Sequence, residues 1–148
     1  MTSFFPDVNV WLALSVAGHS HSAEAWRWLT LAPGEARLVF CRYTQVGLLR
    51  LLTNEAVMGA ETLTLRRAWE VYDGWVNDPR VEFYPESPSL DVTLREATAP
   101  FAARRASKSI GDCYLLAFAK ESQASLVTFD KALLGIARKR GYAAIAPG

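Results

Sequence analysis

The sequence has little of the residue chemistry that builds disulfide frameworks or zinc centres. Its 148 residues include only two cysteines and two histidines. Cys41 and Cys113 lie far apart in apolar segments, which favours buried free thiols over a disulfide bond. The sequence has no Cys-x-x-Cys motif and no Cys/His spacing of the metal-binding kind. We therefore expect neither a disulfide scaffold nor a zinc site.

Long hydrophobic runs and a strong net charge are also lacking. The apolar segments fall far short of the roughly 20 residues that a membrane-spanning helix needs. The N-terminal segment has no basic region of the kind that begins a secretion signal. We therefore expect a cytoplasmic protein without a membrane partner. Because the net charge is only +1, contact with nucleic acid would require a local basic patch.

Hydrophobic residues make up 51% of the chain, which is enough for a full core at this length. No internal repeat or linker divides the sequence, so we predict a single domain over residues 1–148. Short extended segments alternate with amphipathic helical segments, a pattern typical of βα units around a parallel sheet. The predicted strands cover residues 3–6, 37–41, 81–84, 125–128 and 142–145.

Helical periodicity accounts for most of the remaining residues. A proline at position 100 predicts a break in the fifth helical segment. Basic residues and a following glycine are typical of the end of the last helix. The predicted helices cover residues 8–16, 20–31, 44–52, 62–76, 90–105, 112–121 and 130–140.

Three aspartates occupy positions from which they can converge. Asp7 directly follows the first predicted strand, and Asp130 directly follows the fourth. Asp112 begins the helix that leads into the fourth strand. In open α/β sheets, ligands bind outside the carboxyl ends of the strands. We therefore expect the three carboxylates to share one crevice.

Clustered carboxylates repel one another and raise each other's pKa, so a fold gathers them only with a compensating charge. Mg²⁺ suits such a site because it takes hard oxygen ligands and keeps several waters. A metal held in this way activates water and neutralises charge that builds on a phosphate. The three aspartates together therefore favour metal-assisted hydrolysis of a phosphate ester.

Each acid also has a simpler interpretation. Asp7 and Asp130 are at positions typical of helix N-caps, and Asp112 with Ser109 resembles a weak capping box. Basic residues precede Asp112, and a charge run of this kind is usually a solvated surface. Beside a metal site, the same cations would bind phosphates. These candidate RNA-binding cations are Arg104, Arg105 and Lys108.

Several segments, in order, resemble the motifs of PIN-domain ribonucleases of the VapC type, the toxins of bacterial and archaeal toxin–antitoxin pairs. Residues 5–14 contain an Asp-x-Asn motif, and residues 19–28 resemble the His- and Trp-rich helix that follows it. Residues 44–53 resemble the Thr-Gln-x-Gly-x-x-Arg signature of one branch. Residues 111–119 match Asp-x-Tyr-Leu-x-x-x-Ala, and residues 126–130 match Leu-x-Thr-x-Asp. The order and spacing of these motifs make the resemblance specific.

The resemblance implies a three-layer α/β/α fold with a central parallel sheet. It implies an endoribonuclease that depends on Mg²⁺ or Mn²⁺ and acts on a structured RNA such as a transfer RNA. It also implies a homodimer and a VapB-like antitoxin that occupies the active-site groove. By position, Asp7, Asp112 and Asp130 match catalytic metal ligands. Asn9 matches a residue that orients the first carboxylate, and Thr128 matches one that braces the last.

One departure from the family pattern concerns a fourth acid. PIN domains usually carry a glutamate early in the helix after the second strand, and the aligned position here falls nearest Gly47. No carboxylate lies in residues 43–53, so Gln45 is the candidate for a neutral ligand at this corner. Metal should then bind more weakly or as a single ion. Arg50, on the same helix, is expected near the groove.

Two other functions stay open from the sequence. A non-catalytic PIN-like module that binds RNA or a partner is consistent with the missing fourth acid. A small phosphatase or nucleotide-binding α/β protein is disfavoured, because no glycine-rich phosphate loop follows a strand.

Overall fold

The computed structural model describes residues 2–148, which form a five-stranded parallel sheet with helices on both faces. The strand order is β3-β2-β1-β4-β5, and each neighbouring pair is parallel. The predicted α/β class with five strands is therefore confirmed. The strands are β1 (Ser3–Pro6), β2 (Arg37–Phe40), β3 (Val81–Phe83), β4 (Ser125–Val127) and β5 (Ala144–Ile145).

Helices connect the strands and cover both faces of the sheet. Short 3-10 turns follow the fourth and sixth helices at Gly59–Glu61 and Ala99–Phe101. Within residues 2–148, no helix is long and apolar enough to cross a membrane. The helices are α1 (Val8–Ser15), α2 (Ser22–Leu31), α3 (Arg42–Leu52), α4 (Glu55–Met58), α5 (Leu65–Val76), α6 (Leu90–Thr98), α7 (Ile110–Glu121) and α8 (Lys131–Arg140).

Alternate residues of each strand point to opposite faces of the sheet, and both faces are buried. Phe4 belongs to the core under α1, α2, α3 and α5, whereas Phe5 belongs to the core under α6, α7 and α8. The first core contains Trp11 stacked on Phe40, with ring centroids 3.9 Å apart. Two cores on opposite faces give the three layers that the motifs predict.

Element boundaries differ from the predictions where caps decide them. Helix α3 begins at Arg42 rather than at Thr44, because Cys41 is the N-cap and the Thr44 hydroxyl accepts a hydrogen bond from the Cys41 amide. The short helix α4 was not predicted, and the Asn54 side chain caps it by accepting from the amide of Ala56. The break at Pro100 is confirmed, since α6 ends at Thr98. Both cysteines are buried and free, as expected.

Candidate active site

Asp7 lies at the carboxyl end of β1, between the ends of β1 and β4. Its backbone amide donates to the carbonyl of Val127 at 2.8 Å, which extends the pairing of the two strands. Its Oδ1 atom accepts a hydrogen bond of 2.6 Å from the amide of Val8, so Asp7 is the N-cap of α1. The Oδ2 atom accepts one of 3.0 Å from the Thr128 hydroxyl. Both oxygens of the carboxylate are thus held in place.

Asp130 lies just beyond the carboxyl end of the neighbouring strand β4. Its Oδ1 atom accepts a hydrogen bond of 3.0 Å from the amide of Leu133, and this caps α8. Its own amide donates to the Thr128 hydroxyl at 3.1 Å. Thr128 was predicted to brace Asp130, and its hydroxyl does so by accepting from the Asp130 backbone amide. The carboxylate to which the same hydroxyl donates is that of Asp7.

Asp112 is the third residue of α7 and not the first, because the helix begins at Ile110. Ser109 is the N-cap residue but makes no side-chain capping bond, so the capping box with Asp112 does not form. The carboxylate lies instead in the first turn of the helix, where the positive end of the helix dipole stabilises a negative charge. Asp112 is half-buried and lines a cavity.

The three aspartates line one cavity of about 380 Å³. The structure therefore brings the three acids together, as the sequence predicts. Two cations, Arg50 and Lys108, share the cavity wall with them, so the site combines three carboxylates with two basic groups. The complete lining consists of Asp7, Val8, Asn9, Tyr43, Thr44, Val46, Gly47, Arg50, Lys108, Gly111, Asp112, Leu115 and Asp130.

Burial and mutual repulsion raise the pKa of two of the acids. For Asp7, burial is the larger cause, the charges of Asp112 and Asp130 add to it, and the hydrogen bonds from Thr128 and Val8 oppose it. For Asp112, burial again comes first and the charge of Asp130 second. Burial and the neighbouring negative charges thus disfavour the charged forms of Asp7 and Asp112, and a bound cation would favour them.

The donor set fits Mg²⁺ or Mn²⁺ in an open site. Carboxylate oxygens are the hard ligands that these ions prefer. In residues 2–148, no group of three or more His, Cys, Asp or Glu side chains is already arranged so that it could hold a metal ion. Mg²⁺ commonly binds through one or two carboxylates and keeps several waters. The cavity therefore suits a water-rich ion rather than one enclosed by protein.

The structure does not support a ligand role for Gln45. Its side chain is only 6% exposed, its Oε1 atom accepts a hydrogen bond from Arg42, and it does not line the cavity. Residues two positions apart in a helix point to nearly opposite sides, and it is Gly47 that faces the acids. A Cβ atom at Gly47 would lie 3.0 Å from Cγ2 of Val8. Glycine at this position lets α1 and α3 approach closely, and α3 presents no carboxylate.

The structure places some of the other predicted residues at the cavity and others away from it. Asn9 is exposed and lines the cavity, but among residues 2–148 the hydrogen bonds to the Asp7 carboxylate come from Val8 and Thr128. Arg104 lines a neighbouring, largely apolar cavity of about 560 Å³ between α6 and α7. Arg105 lines neither cavity. Of the predicted cations, only Arg50 and Lys108 lie at the acids.

Tyr43 and Gly111 are among the cavity residues that were not predicted from the sequence. Tyr43 lines the cavity while 50% exposed, and its ring packs on that of Tyr114 with centroids 4.8 Å apart. Gly111 lies so close to Tyr43 that a Cβ atom there would be 2.7 Å from the tyrosine hydroxyl. The available signal was the position of Tyr43, which follows the carboxyl end of β2 at the same edge of the sheet as the acids.

The family model for the PIN domain matches residues 4–139 of this chain. The match includes β1 from Phe4 onward, all of β2, β3 and β4, the three aspartates and both cavity cations. The chain therefore belongs to the PIN-domain family.

Within the family, the chain is similar to VapC proteins. It is 40% identical over 132 residues to Ribonuclease VapC41 of Mycobacterium tuberculosis, with 85% of this chain and 88% of the relative covered. This likeness confirms the VapC type that the sequence motifs predict.

Solved structures of related proteins share the fold. The Mycobacterium tuberculosis toxin VapC20 superimposes with a TM-score of 0.66 at 16% identity, over 90% of this chain and 94% of the other. The toxin–antitoxin pair VapBC2 from Rickettsia felis, solved with a promoter DNA fragment, gives a TM-score of 0.71 at 12% identity, with 98% of each chain covered. At such low identity these likenesses concern the fold.

Proposed function

We propose that this protein is a metal-dependent endoribonuclease that hydrolyses phosphodiester bonds in RNA, and that it is the toxin of a toxin–antitoxin pair. The observation that carries the proposal is the meeting of Asp7, Asp112 and Asp130 around one cavity. They come from three separate elements of a VapC-type PIN domain. Capping alone requires no such meeting, because a cap acts on its own helix.

Asp7, Asp112 and Asp130 would hold a single Mg²⁺ or Mn²⁺ ion. A divalent ion bound at this place would lower the pKa of a water molecule and offset the negative charge of the reacting phosphate. The amide of Val8 and the hydroxyl of Thr128 keep the Asp7 carboxylate aimed at the cavity. The absence of a carboxylate on α3 leaves three negative charges, and this supports one weakly bound ion rather than two.

The cations of the cavity wall have a separate task. Arg50 and Lys108 lie at the same cavity as the acids and are exposed. Phosphates on either side of the scissile bond would pair with them, and such contacts position RNA without reading its sequence. The substrate therefore lies across the cavity with its backbone toward α3 and the segment before α7.

The partners follow from the same placement. A VapB-like antitoxin would inhibit by covering the cavity, because the acids and cations are reached from solvent there. The chain would act in the cytoplasm, where RNA is present.

We also propose a homodimer, supported by the apolar side chains of Leu65 and Trp69 that α5 leaves 58% and 41% exposed. The mass of the purified protein in solution tests this assembly.

The test of the proposed activity is cleavage of a broad RNA panel, including transfer RNAs, with and without Mg²⁺. Wild type should cleave only with the metal, and Asp7→Asn should be at least about 100-fold slower, since one ligand charge is lost. Asparagine keeps the helix cap, so the fold is preserved. Equal activity in both proteins would sink the proposal.

A second candidate function is a PIN-like module that binds RNA without cutting it. The neutral Gly47 at the place of the usual fourth acid favours it. This candidate predicts RNA binding without cleavage and no heat of Mg²⁺ binding in calorimetry. Metal-dependent cleavage by wild type that is lost in Asp7→Asn would exclude it.

A further inference from the structure

We infer, on the basis of the proposed action on RNA, that Tyr43 is a substrate-binding residue and that its ring stacks on a nucleobase beside the scissile phosphate. Three independent features of the structure carry this inference. They are the exposure of Tyr43 at the acidic cavity, the way its ring is held, and the space that Gly111 leaves for its hydroxyl.

Tyr43 is an aromatic side chain that the fold leaves half exposed at the cavity of the three aspartates. Val46, on the same wall, is 44% exposed, so this wall is apolar as well as aromatic. Arg50 and Lys108 line the same cavity. Grooves that bind single-stranded RNA combine cations for the backbone with aromatic rings for the bases, and both are present here.

The ring of Tyr43 is held in place from one side. It packs on Tyr114 of α7 with centroids 4.8 Å apart and planes inclined by 48°. The Tyr114 hydroxyl donates a hydrogen bond of 2.6 Å to Oε2 of Glu86, which follows β3. Supports from α7 and from the loop after β3 thus fix the platform before substrate arrives. A ring that is already ordered loses little entropy when a base stacks on it.

Gly111 is the residue that makes room for the Tyr43 hydroxyl. A Cβ atom at Gly111 would lie 2.7 Å from that oxygen, which is closer than a methyl group tolerates. Gly111 is not among the residues with positive φ, so its backbone does not require glycine. A glycine inside a helix is less favourable than an alanine, because its backbone loses more conformational freedom on folding. The contact that a side chain at Gly111 would disturb is therefore the one with the Tyr43 hydroxyl, which would have to move.

The stacking assignment determines what Tyr43 should do in the reaction. Base stacking tolerates any base because every base has a π-face, so Tyr43 would hold the substrate without selecting its sequence. Its loss should weaken RNA binding and raise KM more than it lowers kcat. A role confined to packing against Tyr114 would instead appear as a loss of stability with unchanged KM.

The first experiment compares Tyr43→Phe with Tyr43→Leu. Phenylalanine keeps the aromatic face, whereas leucine keeps apolar packing against Tyr114 and lacks that face. Tyr43→Phe should remain within about threefold of wild type in kcat/KM, while Tyr43→Leu should lose roughly 5- to 150-fold, the range for one base–aromatic stack. Thermal unfolding of both variants checks that the fold is retained. A wild-type kcat/KM in folded Tyr43→Leu would overturn the inference.

The second experiment pairs the protein change with a change in the RNA. One nucleobase at a time is removed from an oligoribonucleotide on either side of the cleavage site. At the position that stacks on Tyr43, the abasic substrate should weaken wild type but not weaken Tyr43→Leu further, since the contact is already gone. Additive losses at every position would contradict stacking.

Gly111→Ala supplies a matched steric control. Its methyl group should displace the Tyr43 hydroxyl and lower kcat/KM, and adding Tyr43→Phe should restore part of the loss because the clashing oxygen is removed. If Gly111→Ala is unfolded, the Tyr43→Leu comparison decides alone. Equal loss in the single and double variants of a folded protein would contradict the close contact.

Binding separates this inference from the proposed catalysis. Anisotropy of fluorescein-labelled oligo(U) and oligo(A) RNA is measured with Asp7→Asn and with Asp7→Asn/Tyr43→Leu. Weaker binding by the double variant supports the inference even if wild type cleaves nothing, in which case only the catalytic proposal fails. Cleavage by wild type with equal binding by both variants overturns the inference alone. No binding and no cleavage overturn both.

Discussion

The hydroxyl of Thr128 donates a hydrogen bond of 3.0 Å to the Asp7 carboxylate, and the two residues lie 121 positions apart in the sequence. Thr128 is fully buried, and the same hydroxyl accepts from the Asp130 amide. One side chain therefore joins the ends of β1 and β4 and sets the position of two acids. This relationship follows from the parallel pairing of the two central strands.

Thr128→Val should impair the site while keeping the side-chain shape. The Asp7 carboxylate loses its donor and the Asp130 amide loses its acceptor, so the free energy of unfolding should fall by about 1–3 kcal/mol. Loss of such a supporting hydrogen bond typically lowers activity about 10- to 100-fold. Denaturant unfolding and kcat/KM for RNA cleavage provide the measurements. Thr128→Ser, which retains the hydroxyl, should stay close to wild type in activity.

Asp112→Asn should make the metal-free protein more stable at neutral pH. Burial and the Asp130 charge raise the pKa of Asp112 above its ordinary value of 3.8. An acid with a raised pKa binds its proton more tightly when folded, so its favourable contribution is present at low pH and lost as pH rises through the folded pKa. Asparagine removes that loss. Melting temperatures with a chelator present should show the variant above wild type at pH 7, with the gap shrinking toward pH 4.

Added metal should make wild type more stable than Asp112→Asn, the reverse of the order expected without metal. A ligand that binds only the folded state stabilises it, by about 2.7 kcal/mol at a concentration of 100 times Kd. Added Mg²⁺ should therefore raise the melting temperature of wild type and leave Asp112→Asn nearly unchanged. KCl at matched ionic strength is the control for general screening. An equal Mg²⁺ response in both proteins would mean that Asp112 does not hold the ion.

Gly47→Glu combined with Val8→Ala should create the fourth acid and tighten metal binding. A Cβ at Gly47 would lie 3.0 Å from Cγ2 of Val8, so Gly47→Glu alone overpacks the contact between α1 and α3, at a cost of about 1–3 kcal/mol. Val8→Ala removes the opposing methyl groups. Calorimetry with Mn²⁺ should show higher affinity for the double variant than for wild type. Gly47→Gln with Val8→Ala, which has the same shape without the charge, should show no gain.

Arg50→Gln should reduce the salt dependence of RNA binding, and Arg105→Gln should not. Each phosphate contact contributes about −0.7 to the slope of log K against log salt for a single strand. Arg50 lines the acidic cavity, whereas Arg105 does not. Binding isotherms of an oligoribonucleotide over a range of KCl concentrations measure the slopes. An equal change in both variants would place RNA away from the cavity.

The fold and the three acids were predictable because they depend on local pattern. Apolar segments in β1 and β4 are each followed directly by an aspartate, and parallel strands bring such positions to one edge of the sheet. Asp7 and Asp130 also cap helices, so the capping interpretation and the site interpretation describe the same residues. Asp112 lines the same cavity although its capping box did not form.

Three residues on α3 and on the segment before α7 were predicted at the site but do not line its cavity: Gln45, Arg104 and Arg105. Gln45 was expected at the acids, yet the cap at Cys41 starts the helix at Arg42 and turns Gln45 toward Arg42. Arg104 and Arg105 are near Lys108 in sequence, but the 3-10 turn at Ala99–Phe101 and the loop after it direct only Lys108 into the cavity. Side-chain direction depends on how each helix is rotated against the core, and residue type does not reveal that rotation.

The sequence by itself determined the family, the parallel α/β architecture and the convergence of three aspartates, because strand and helix periodicity and the residues at the element ends are local features. Only the tertiary structure decided which partners those acids have. Two of these contacts join distant parts of the chain: the hydrogen bond from Thr128 to Asp7 and the close approach of Tyr43 to Gly111. The burial of Gln45 likewise depends on how α3 packs against the core. These features depend on how the helices pack on the two faces of the sheet. That packing involves many residues from distant parts of the sequence together, so no local pattern reveals it.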